Sequence, residues 1–84
     1  MEFLSEGQRR TLRAGGVVDV GGVLVERIVG GWQCSALVTG GGFDDPGHPF
    51  FERRAYLWHD LADVLPLFRA HLVERGLLVD GGRA

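Results

Sequence analysis

The chain has 84 residues and a formal net charge of −2, and 45% of it is hydrophobic, including five Phe, two Trp and one Tyr. That length and composition suit one small domain with a modest core and do not suggest a disordered chain. All nine basic residues are Arg, which excludes lysine Schiff-base chemistry and a P-loop lysine, and the weakly acidic balance argues against nonspecific nucleic-acid binding.

The first predicted element is a short helix over 5–14. Ser5 is placed to cap it, and Gln8 completes a capping box three residues later. Glu6 in the first turn and Arg10 and Arg13 in the last suit the helix dipole. Gly15 is placed to end it. Leu12 is its only large apolar residue, and Gly7 weakens it by up to about 1 kcal/mol relative to Ala.

Paired glycines then punctuate short apolar runs. Gly21-Gly22 and Gly30-Gly31 read as hairpin turns, because a two-residue I′ or II′ turn needs positive φ. They delimit a short extra strand at 17–20, left open here, and strands over 23–29 and 32–39. In the last of these, Trp32, Cys34, Ala36 and Val38 alternate with Gln33, Ser35, Leu37 and Thr39, which predicts the first set inward. The preceding strand is less decisive, with Leu24, Glu26 and Ile28 on one face and Val23, Val25, Arg27 and Val29 on the other.

Residues 40–49, GGGFDDPGHP, predict an exposed loop. An aromatic strand follows over 50–58. Phe51, Arg53, Ala55 and Leu57 share one face; Phe50, Glu52, Arg54, Tyr56 and Trp58 share the other. Leu61, Leu65, Phe68 and Leu72, widened by Val64 and Leu67, then form the stripe of an amphipathic helix. Pro66 and the reach of the stripe back to Leu61 argue for a helical turn at 60–63 leading into a regular helix that runs to Arg75 and stops at Gly76. The tail at 80–84 is expected to fray. The expected fold is a single α+β domain over 1–84, with a three-stranded antiparallel sheet packed on the C-terminal helix, in α-β-β-β-α order.

Cys34 is the only cysteine, which excludes an intrachain disulfide, a CxxC redox pair and a multi-cysteine zinc site. As a nucleophile it would need His48, His59 or His71 as a base and an exposed, electropositive setting, whereas its strand position points inward. Asp44, Asp45 and His48 could hold a divalent metal, but Asp-Asp-Pro-Gly is also ordinary turn chemistry. The glycine clusters match neither GxGxxG nor a P-loop, so no cofactor or small-molecule ligand is expected. MEFLSEGQRR lacks the order of a signal peptide, and no apolar run approaches the ~18 residues of a membrane span, so a cytoplasmic location is expected.

Arg9, Arg10 and Arg13 form a basic cluster that could meet phosphates or an acidic partner. The element order looks like that of double-stranded-RNA-binding domains, but those carry a lysine-rich start to the last helix. His59, Asp60 and Asp63 stand there in this chain and would repel phosphate. The reading that best fits the residues is a non-enzymatic protein-binding domain, with self-association open. If the helix covers Phe51, Ala55 and Leu57, then Arg54, Tyr56 and Trp58 lie on the open sheet face, joined by Leu37, and these types are enriched at interface hot spots. Nucleic-acid binding through the Arg clusters, and a small hydrolase-like enzyme using His and Asp of the loop, are the alternatives.

Overall fold

The computed structural model describes residues 4–40 and 48–79. The described elements are α1 (Glu6–Arg13), β1 (Val17–Val20), β2 (Val23–Ile28), β3 (Gly31–Gly40), β4 (Phe50–Leu57), α2 (Leu61–Glu74) and β5 (Leu77–Val79). The class is α+β with an antiparallel sheet, as expected, but the strands among the described residues number five. The order is therefore α-β-β-β-β-α-β, which removes the α-β-β-β-α likeness.

Helix α1 forms from its local signals. The Ser5 hydroxyl accepts from the Gln8 backbone N–H at 3.1 Å, and the Gln8 side chain accepts from the Ser5 N–H at 2.8 Å. Gly15 ends the helix at φ 88°, and Leu12 is its one buried residue. The β1–β2 hairpin turns on Gly21 (φ 60°) and Gly22 (φ 88°), both in the region a type I′ turn requires. The β2–β3 turn is Val29-Gly30, so only Gly30 of the second pair supplies positive φ, and Gly31 opens the next strand. Gly31 serves close approach instead: a Cβ there would lie 2.0 Å from the Tyr56 carbonyl oxygen.

The central strand is β3. One edge pairs with β4 over Gly31–Val38; the other pairs with β2 over Gly31–Ser35 and then with β5 over Val38–Gly40. Strand β5 fills the edge that the shorter β2 leaves open. Val23, Val25, Cys34, Ala36 and Val38 pack under Val64, Leu65, Phe68 and Leu72 of α2 in one core with Leu12, Val18, Tyr56 and Leu77.

Helix α2 runs unbroken from Leu61, and Pro66 sits inside it. The helical turn expected at 60–63 is continuous with the rest of the helix. Asp60 starts the helix through its carbonyl, which accepts from Asp63 at 2.9 Å and Val64 at 3.2 Å. Pro66 removes the bond to the Ala62 carbonyl, but Ala62 is exposed, so water can take that acceptor. Leu67 does not widen the buried stripe, being 42% exposed. Gly76 at φ 69° turns the chain into β5. The expected tail at 80–84 lies outside the described residues.

Candidate interaction surface

Residues directly opposite in an antiparallel ladder share a face, so the register assigns every side chain of the sheet. Val25, Cys34 and Arg54 share one face, as do Trp32 and Tyr56, and this is the face that α2 covers. Leu37 stands opposite Phe51, and Gln33 opposite Ala55, on the other face. Ser35 stands opposite both Leu24 and Arg53 there.

The register corrects the expected binding surface. Tyr56 is 7% exposed and belongs to the core, because its partner Trp32 lies on the inward face of β3. Arg54 shares that face at the margin of the helix, with its guanidinium carbon 5.6 Å from the Tyr56 ring centroid. Trp58 lies beyond the end of β4, 87% exposed, with its ring over Gly30. It occupies the left-handed region at φ 64°, rare for an aromatic residue, held there by its N–H donating to the Gly30 carbonyl at 2.8 Å. Of the four residues, Leu37 alone lies on the open face.

No described element covers that face. Its apolar part runs through Leu24, Ile28 and Leu37, all half-buried, to Phe51 at 54% and Leu57 at 48% exposure. Leu78 at 62% exposure, opposite Thr39, extends it onto β5. Glu26 and Gln33 cross its middle, their side chains 3.5 Å apart. Asp19 and Arg53 mark its two flanks, both exposed. The signal for this surface was present in β3: the outward set of its alternation contains Leu37, a large apolar residue where a solvated face takes a polar one.

The covered face ends in a polar clasp. His71 Nε2 of α2 and Nη1 of Arg75, the residue that follows α2, each donate to Glu52 Oε2 of β4 at 2.7 Å. The His71 hydrogen bond, and then the Arg75 hydrogen bond and charge, hold the Glu52 carboxyl below its ordinary range against the opposing effect of burial. This clasp explains why two charged strand residues of β4 behave differently on the same face: Glu52 faces the helix, and Arg54 reaches past it.

The remaining candidates are dispersed. Cys34 is fully buried, and burial pushes its thiol up to about 11, the opposite of an activated nucleophile. His59 is exposed and donates from Nδ1 to the Leu57 carbonyl at 2.7 Å. Its ring meets that of Tyr56 edge-on at 5.9 Å. The Tyr56 hydroxyl is enclosed without a hydrogen-bond partner among the described residues, and desolvation raises its phenol. Arg54 opposes that rise by its charge; it lies over the ring face, the geometry of a cation–π contact rather than of a donor to the hydroxyl. His48 is exposed, and Asp44 and Asp45 lie outside the described residues. Among the described residues no group of three or more metal-ligating side chains comes together. Arg10 and Arg13 are exposed and Arg9 half-buried on α1. No described helix is long and apolar enough to cross a membrane.

No protein-family model matches the chain, and neither curated proteins nor solved structures give a significant match.

Proposed function

We propose that this chain is a non-catalytic protein-binding module that docks through the open face of its sheet, in the cytoplasm. The observation that supports this reading is the set of apolar side chains on that face, Leu24, Leu37 and Phe51 toward one end and Ile28 and Leu57 toward the other, which no described element covers. A one-sided antiparallel sheet ordinarily presents a polar outer face, and an exposed apolar patch rimmed by charge marks an interaction site. Arg53 and Asp19 supply that rim.

Phe51→Glu and Leu37→Glu place a charge on the apolar part of that face without touching the covered core. The reading requires that both variants fold and lose association, whether with themselves or with a captured partner. Unchanged association in both variants would refute it.

A further inference from the structure

Given the open face as the binding surface, we propose that its occupant is a second copy of this chain, packed face to face about a two-fold axis that runs parallel to the strands between β2 and β3. Such an axis keeps every row of the sheet at its own level and exchanges left for right. Strand β1 then lies over the second copy's β4, and β2 over its β3.

The charges fit this exchange. Asp19, Leu24, Ser35 and Arg53 form one row across the four strands, with Asp19 and Arg53 at its two ends. Those ends are three strand spacings apart, about 14 Å, and are related by the proposed axis. The rotation sets Arg53 over the second copy's Asp19 and Asp19 over its Arg53. Packed sheets lie about 10 Å apart, a gap that a long Arg side chain and an Asp can close together. Two opposite-charge pairs then flank a centre in which Leu24 and Ser35, and Glu26 and Gln33, stand on either side of the axis.

The side-chain sizes fit as well. In the same row, Leu24 comes over Ser35. One step along, Glu26 comes over Gln33, whose amide can donate to it. Ile28 comes over Gly31. Continuing the register past Val20 and Val23 sets Gly21 and Gly22 level with Phe51 and Leu37, so those two large residues meet a turn without side chains. Large over small is how facing layers interdigitate, and the contact is isologous and closed. One register of pairing through the β4 edge that no described strand occupies is disfavoured by contrast. An antiparallel β4–β4 contact centred on Arg53 sets that residue directly against its own copy, and like charges opposed across a ladder are destabilising.

Sedimentation equilibrium over a wide concentration range tests the arrangement, using the wild type, R53D, D19R and an equimolar mixture of the two variants. The wild type is expected to dimerise. Each variant alone sets two like charges opposite each other and is expected to weaken the dimer at least about tenfold. The mixture restores both opposite-charge pairs and is expected to recover the lost affinity as a heterodimer, visible by native mass spectrometry. Asp19 Oδ1 also accepts from the Gly22 N–H at 2.9 Å, so a melt of D19R accompanies the series. If D19R fails to fold, D19S keeps an acceptor there and is expected to weaken the dimer and flatten its salt dependence. Dimerisation of R53D equal to wild type, or a mixture that stays monomeric, would overturn the arrangement. A wild type monomeric at every concentration would overturn the second copy as occupant; association with another protein that Phe51→Glu still abolishes would then leave the open face standing with a different partner.

Discussion

Glu52 of β4 accepts a hydrogen bond from His71 of α2 at 2.7 Å, joining the edge strand to the helix across the margin of the core. The Glu52 side chain is 12% exposed and that of His71 18%, so this contact is screened far less than a surface pair. Arg75, at 52% exposure, adds less to it. Removing the carboxylate by Glu52→Ala is expected to cost about 1.5–3 kcal/mol, the range for hydrogen bonds to a charged group. Urea unfolding at neutral pH measures it.

The same carboxyl makes stability depend on pH. Its folded value lies below the ordinary 4.5. A group depressed in the folded state stabilises it fully above its unfolded value and loses that contribution as pH falls through the folded one. The stability difference between the wild type and Glu52→Gln is therefore expected to hold from neutral pH down to about 4.5 and then to shrink. Thermal melts of both proteins across that window check the sign; a difference that grew on acidification would contradict it.

Capping carries α1. Because Leu12 is its only buried residue, the helix depends heavily on its local hydrogen bonds. Ser5→Ala is expected to cost about 1 kcal/mol by denaturant unfolding.

The glycines divide by role. Gly31→Ala drives a methyl into the β4 backbone, where the nearest atom belongs to a carbonyl that cannot swing aside. A loss of about 1–3 kcal/mol is expected. Gly7 lies inside α1, and its nearest prospective neighbour is the Ser5 hydroxyl at 3.9 Å. Gly7→Ala is expected to stabilise by about 0.5–1 kcal/mol. Parallel melts of the two variants separate a packing glycine from a merely tolerated one.

Cys34 is expected to resist thiol reagents in the folded protein and to react only on unfolding, since its sulfur is both enclosed and held protonated. Labelling with a chromogenic disulfide, with and without urea, checks this; rapid native labelling would reopen a nucleophilic role.

Much of the fold was legible because its signals are local. Ser5, Gln8 and Gly15 bound α1, Gly21 and Gly22 form a hairpin turn, and the β3 alternation puts Cys34, Ala36 and Val38 inward. Other features depend on contacts distant in sequence. Strand β5 is three residues long and exists because β3 outruns β2, leaving an edge for Leu77–Val79. The faces of β4 could not be told apart from β4 itself, since both carry aromatics. Register with β3 decides the matter: Tyr56 lies opposite inward Trp32, and Phe51 opposite outward Leu37. Taken alone, the alternation of β4 led to Tyr56 and Trp58 as the exposed anchors. The geometry puts Phe51 and Leu57, with Leu37, on the open face instead.

Hydroxyl-radical footprinting of the associated and dissociated protein tests the open face most directly, because Phe and Leu on one side and Trp and His on the other all report. Protection of Leu37, Phe51 and Leu57 on association, with Trp58 and His59 still oxidised, is the predicted result. Protection of Trp58 and His59 while Phe51 and Leu57 remain reactive would contradict it.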